Sequence, residues 1–158
     1  MAARPEVELS ELYREVVLDH YKHPRGRDPL PKADVTAKGF NPLCGDEVEV
    51  ALALAGEQIA QAQVVARGCA ICTSSASMMA EVLGGKNLAE AEADAEAFRQ
   101  AMHGKPFPQD RKLGDLEALE GVKHFPVRVK CALLPWMTLK DAIAAYRRGE
   151  RDTQTTTE

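Results

Sequence analysis

No stretch of this chain approaches the roughly 20 consecutive apolar residues of a membrane-spanning helix. The segment Met1 to Ser10 likewise holds no apolar core of signal-peptide length. The chain therefore reads as a cytoplasmic protein with no membrane segment. An excess of basic residues is also missing, because 20 Lys and Arg stand against 24 Asp and Glu, a formal net charge of -4. Phosphate backbones and anionic lipids need clustered positive charge, so neither nucleic acid nor a membrane surface is expected as a partner. Internal repeats are absent. Gly84-Gly85-Lys86 is no phosphate loop, since the required earlier glycine and following Ser or Thr are lacking, and it reads as a helix stop. Cysteine is sparse, with four in 158 residues. In a reducing cytosol four cysteines are poor disulfide candidates, which turns attention to metal binding or thiol chemistry.

What is present suits one globular domain, residues 1–150, because 45% hydrophobic content over this length can fill a single core. Ser10 can cap a helix running to about Tyr21, with Leu12, Tyr13, Val16, Val17 and Tyr21 on one face. Three prolines and a glycine between Pro24 and Lys32 mark a loop. From there the period changes to two. In Glu47 to Leu54 the even positions Val48, Val50, Leu52 and Leu54 are apolar, a half-buried strand, and the return through Ala60 to Arg67 completes an antiparallel hairpin. Asp34 to Asn41 is a weaker third strand. After Cys69 a helix carries Ala76, Met79, Ala80 and Leu83 as its stripe, and Asn87 with Glu90 forms a capping-box pattern before the next. Residues 104 to 126 read as loop with a short helical stretch at Asp115 to Leu119. Thr138 opens a last helix closing at Gly149, and the polar, Thr-rich tail 151–158 reads as disordered. The fold class is α+β.

The chemistry lies in the cysteines. Gly45 lets the turn after Asn41 bend tightly enough for Cys44 and Asp46 to face one point. Gly68-Cys69 follows the hairpin's second strand, whose antiparallel return brings it back beside the first strand's start. Cys131 adds a third sulfur between the cations Arg128 and Lys130, a setting expected to lower its pKa and favour thiolate. Three thiolates and a carboxylate make a tetrahedral zinc set. Their four negative charges against the ion's two leave an excess that Arg128 and Lys130 can offset from just outside the ligands. A single buried cysteine is more often a core residue than a ligand; turn and helix-start positions weigh the other way. His20 and His23, at helical i, i+3 spacing, could bind metal but read as surface helix-end histidines. Cys72 makes a Cys-x-x-Cys spacing with Cys69 that reads either as a redox pair or as a plain helix residue.

Four motifs in order, Asp19-His20-Tyr21-Lys22-His23-Pro24-Arg25, Asn41-Pro42-Leu43-Cys44-Gly45-Asp46, the segment Gly68 to Ser77, and Arg128-Val129-Lys130-Cys131, resemble the U-type iron-sulfur assembly proteins over about Leu12 to Arg147. The resemblance implies the IscU/SufU-like fold, a three-stranded antiparallel sheet with helices packed on it and the cysteines at one end. The scaffold branch, IscU-like, carries a His directly before the third cysteine and a Leu-Pro-Pro-Val-Lys motif upstream. This chain has Lys130 and Phe125-Pro126-Val127-Arg128 instead. The acidic stretch and loop between Cys69 and Cys131 resemble the insertion of the SufU-like branch. That branch implies zinc on Cys44, Asp46, Cys69 and Cys131, with Cys44 released to accept persulfide sulfur when a cysteine desulfurase supplies a replacement ligand. Downstream iron-sulfur assembly proteins are the further partners, and the N-terminal motif contributes to partner docking. Cys72 departs from the pattern, where a serine or other small residue is usual. The alternative implied by the scaffold branch is iron, or a [2Fe-2S] cluster, on the same thiolates.

Overall fold

The computed structural model describes residues 5–156. Helix α1 (Pro5–Lys22) leads through the proline-rich loop to strands β1 (Val35–Asn41), β2 (Asp46–Ala55) and β3 (Gln58–Arg67). Helices α2 (Ala70–Leu83) and α3 (Leu88–Met102), a 3-10 segment (Gly114–His124), helix α4 (Pro126–Arg147) and strand β4 (Asp152–Thr156) follow. The α+β reading holds, but the sheet has four strands rather than three, in the order β3-β2-β1-β4. The pairs β1–β2 and β2–β3 are antiparallel, and β4 runs parallel to β1. Residues 152–156 thus form an edge strand where composition predicts a disordered tail; Thr157 and Glu158 lie outside the described residues. Such a strand needs no apolar face. Its backbone ladder begins where the Thr36 amide donates to the Arg151 carbonyl at 2.8 Å, and its threonines suit extended backbone.

One face of the sheet buries Val35, Ala37, Val48, Val50, Leu52, Ile59 and Val64. Over it α4 packs on β1 and β2, and α2 packs on β3. Each Val, Leu or Ile among them contributes about 1.5–3 kcal/mol on leaving water, so the period of two read in β2 becomes the core. The opposite face carries Lys38, Glu47, Glu49 and Arg67, all exposed. Gly39 lets α4 come close to β1: a Cβ there would stand 2.0 Å from Thr138 Oγ1.

Two helix starts differ from their sequence signals. Helix α1 begins at Pro5, so Ser10 lies inside it rather than capping it; proline suits a first helical position. Helix α4 begins at Pro126 and runs straight through Pro135, so Thr138 sits mid-helix and its hydroxyl donates to the Leu134 carbonyl at 2.7 Å. Pro135 has no amide to give the Cys131 carbonyl four residues back. Packing outweighs that loss, because Cys131, Ala132, Leu134 and Trp136 are wholly buried, and Ser75 Oγ donates to the Ala132 carbonyl at 2.6 Å. The Asn87–Glu90 capping box ahead of α3 is present as read. On α3 the buried Asp94 takes both Lys86 and Arg111, the latter at 2.8 Å, tying the loop beyond Gly104 back to the helix.

Candidate metal centre

Asn41 and Asp46 are the closing pair of the β1–β2 ladder. Between them the amides of Cys44 and Gly45 both donate to the Asn41 carbonyl, at 3.3 and 2.9 Å, and Gly45 adopts φ +72°. A side chain resists that angle, so glycine is what permits so short a turn. Cys44 stands half-buried on the turn, while Asp46, the first residue of β2, is buried.

Strand β3 returns antiparallel until Arg67 lies opposite Glu47, which sets Gly68 directly against Asp46. A Cβ on Gly68 would meet Asp46 Oδ1 at 2.2 Å and its Cα at 3.0 Å, and φ there is +154°. The next amide, of Cys69, donates to Asp46 Oδ1 at 2.9 Å. Cys69 is itself the N-cap of α2, its sulfur accepting the Cys72 amide at 3.4 Å. From the other side α4 brings up Cys131, wholly buried, its sulfur against the Val127 carbonyl at 3.7 Å.

One donor atom each from Cys44, Asp46 and Cys131 lies within 4.8 Å of the others. Cys69 stands at the edge of this trio, its sulfur 4.0 Å from Asp46 Oδ2. All four candidate ligands therefore meet at one end of the sheet. Asn41, whose part in the site the sequence reading missed, lies among them, its amide donating to Asp46 Oδ2 at 3.4 Å and to Cys131 Sγ at 3.6 Å. Its Oδ1 is buried and has no partner among the described residues.

The electrostatics correct one expectation. Burial, reinforced by hydrogen bonding with Asp46 and the Cys44 and Cys69 sulfurs, pushes the Cys131 thiol well up, not down. Desolvation and anionic neighbours outweigh the flanking cations. Arg128 stands near enough to the site that the Cys131 sulfur and the field of Cys69 favour its charged form further. Lys130, two residues on and so on another helix face, lines a cavity with Met102, Val129 and Leu133 instead. This donor set fits a divalent ion. Three sulfurs and a carboxylate crowd together with one guanidinium beside them, and a cation that displaces the thiol protons relieves their repulsion.

The histidines divide. His23 is exposed, whereas His20 is buried, with Nδ1 2.6 Å from Ser77 Oγ and Nε2 2.9 Å from Asp115 Oδ2. Glu81 adds a second carboxylate at 3.5 Å. The Ser77 hydroxyl also accepts the Arg25 amide, and the Arg25 guanidinium bonds Asp19 at 2.6 Å. The Asp19 to Arg25 motif is thus a latch that fastens the end of α1 to α2 and the 3-10 segment. Its partners lie 57 and 95 residues away, beyond the reach of any local pattern. Cys72 is buried in the first turn of α2, and burial pushes its thiol well up.

Residues 12–153 match the family model described as the NifU-like N terminal domain. The chain is similar to the zinc-dependent sulfurtransferase SufU of Bacillus subtilis (strain 168), 39% identical over 141 residues that cover 89% of this chain and 95% of that protein. It is also similar to the iron-sulfur cluster assembly scaffold protein IscU of Streptococcus pyogenes serotype M1, 37% identical over 85% of this chain and 84% of the other. Among solved structures, a putative iron-sulfur cluster assembly scaffold protein for the SUF system from Fervidobacterium islandicum AW-1 superposes with a TM-score of 0.76. It is 33% identical, over 82% of this chain and 94% of that one. The motif resemblance and the fold agree with these matches, and the chain belongs to the NifU-like N-terminal domain family.

Proposed function

We propose that this protein is a zinc-dependent sulfur acceptor that takes persulfide sulfur from a cysteine desulfurase and passes it into iron-sulfur cluster assembly in the cytoplasm. The observation that carries the reading is the convergence of Cys44, Asp46 and Cys131 within 4.8 Å, with Cys69 beside them. Similarity to a protein named as a zinc-dependent sulfurtransferase supports it. Cys44, Asp46, Cys69 and Cys131 are the ligands, and Arg128 balances their charge. Bound zinc keeps thiolates deprotonated while damping their nucleophilicity.

Cys44 is the acceptor because it sits on a turn, half-buried, whereas Cys131 is sealed within α4 and Cys69 is held by the Cys72 amide. The Cys44 thiolate attacks the outer sulfur of the partner's cysteine persulfide. A new sulfur-sulfur bond forms on Cys44, the partner's sulfur-sulfur bond breaks, and its cysteine leaves as thiolate. Leu43, Phe125 and Val127 are exposed apolar side chains on the segments that carry Cys44 and Cys131, which suits docking of a partner over the site. Downstream assembly proteins then receive the sulfur. The test is desulfurase turnover with cysteine as substrate, together with mass mapping of persulfide on each thiol. Wild-type protein should stimulate turnover and carry the extra sulfur on Cys44, and Cys44→Ala should do neither. Stimulation undiminished in Cys44→Ala refutes the assignment.

A second reading, a scaffold on which a [2Fe-2S] cluster is assembled, is favoured by the similarity to proteins named as scaffolds. Against it, the residue before Cys131 is Lys130, which lines the cavity with Met102 and offers the thiolates no imidazole. Aerobically purified protein should be colourless with one zinc per chain. Visible absorbance with iron and sulfide selects the scaffold instead.

A further inference from the structure

The sequence feature that sulfur acceptance leaves unused is Cys72, and its surroundings give it a chemistry. Cys69 occupies the N-cap of α2 and Cys72 the third helical position, the two places whose side chains face each other at a helix start. The contact is already made on one side, with the Cys72 amide 3.4 Å from Cys69 Sγ. Helix geometry sets their Cα atoms about 5 Å apart, inside the window of roughly 4.4–6.8 Å that a disulfide spans. Exposure is divided as in a dithiol exchange centre: Cys69 is half-buried and can be attacked from outside, and Cys72 is wholly buried behind it.

We propose that Cys69 and Cys72 form a thiol-disulfide exchange pair whose substrates are small-molecule disulfides of the oxidised-glutathione class. In the first step the Cys69 thiolate attacks one sulfur of the disulfide, forming a mixed disulfide and expelling the other sulfur as a thiolate, which takes up the proton that Cys69 gave to solvent. Cys72 then attacks Cys69 Sγ, its proton passing to the second departing sulfur. Two protein thiols are oxidised by two electrons, and one disulfide is reduced to two thiols. A consequence rests on the metal reading above. The closed pair withdraws Cys69 from the donors and leaves Cys44, Asp46 and Cys131, the trio already within 4.8 Å, so oxidation lowers zinc affinity by at least the roughly 10- to 100-fold that loss of a mere outer partner costs.

The experiment treats the full chain, as purified and again with a zinc chelator, with a series of oxidised to reduced glutathione ratios. Free thiols are then trapped with maleimide and peptides mapped by mass. Wild type should give an intramolecular Cys69–Cys72 disulfide, and so should Cys44→Ser. Cys72→Ala, a substitution that helix α2 accepts at a small buried position, should stop at a glutathione adduct on Cys69, and Cys72→Ser should do the same. Pairing of Cys69 with Cys44 or Cys131, or no intramolecular disulfide in either arm, overturns the proposal. Zinc released on oxidation is read in the same samples with a chromophoric chelator. A Cys69–Cys72 bond that forms without weakening zinc establishes the exchange pair and removes Cys69 from the ligand set instead.

Discussion

Replacing Gly68 by alanine tests the geometry of the site more sharply than replacing any ligand, because it alters no donor atom. The new Cβ would lie 2.2 Å from Asp46 Oδ1 and 3.0 Å from Asp46 Cα. The carboxylate can swing away, but the Cα belongs to the first residue of β2 and is held by the ladder to β1. The backbone at φ +154° adds a conformational cost of about 1–3 kcal/mol for a residue with a side chain. Overpacking against a fixed neighbour adds about 1–3 kcal/mol more. The sum, about 2–5 kcal/mol after some relaxation, lowers the melting temperature of a chain this size by roughly 4–20 °C. Displacing Asp46 also breaks its bond from the Cys69 amide, so zinc affinity falls about 10- to 100-fold.

Gly56→Ala is the control. Its φ is +64° with nothing within 4 Å of an added Cβ, so it carries only the backbone cost, about 1–2 kcal/mol, and leaves zinc binding unchanged. Calorimetry with and without a chelator separates loss of fold from loss of ion, since a ligand stabilises only the state that binds it. Competition with a chromophoric chelator measures the affinity. If Gly68→Ala holds zinc as tightly as wild type, or melts no lower than Gly56→Ala, the close packing of Gly68 on Asp46 is not what orients the carboxylate.

Asp94→Ala strands Lys86 and Arg111 over a buried position. It should cost about 3 kcal/mol in denaturant unfolding and hasten proteolysis between Gly104 and Leu113; a loss below about 1 kcal/mol contradicts a pinning role. The Glu96 carboxyl is lowered to about 2, chiefly by the Arg99 hydrogen bond. Its stabilisation is therefore present above the usual carboxyl range and is lost as pH falls through about 2. A carboxyl-carbon NMR titration should show that midpoint, and Arg99→Ala should return it toward the ordinary glutamate value of 4.5.

Much of this was legible where one physical rule dominates. Alternation at Val48, Val50 and Leu52 gave β2 its buried face, and the Asn87–Glu90 pair marked the start of α3. Cys44 and Cys69 declared themselves through the glycines beside them, because only special backbone brings thiols to a turn and a helix start. The first half of α4 stayed hidden because Pro135 and Thr138 carry strong local signals for an ending and a beginning. What overrides them is the burial of Cys131 to Trp136, a tertiary quantity. β4 has no apolar period to detect, being held by the backbone of β1. The sign of the Cys131 shift is hidden from the sequence for a similar reason: Arg128 and Lys130 are visible as neighbours in sequence, but Asp46 and the two other sulfurs join it only in space. Asn41 stands in the sequence only as the end of a strand before the turn, and its side chain among the donors follows from the same convergence.

Pro135 has a further effect on the donor that α4 supplies. The carbonyl it leaves without its usual amide belongs to Cys131 itself, so the helix loses a tie at the residue proposed above as a ligand. A sulfur mounted on unbroken helix has little room to adjust when another ligand departs or a bulkier group arrives. Here a small tilt of the Cys131 carbonyl breaks no bond to residue 135, which gives an otherwise buried anchor some of the compliance that a changing coordination sphere demands.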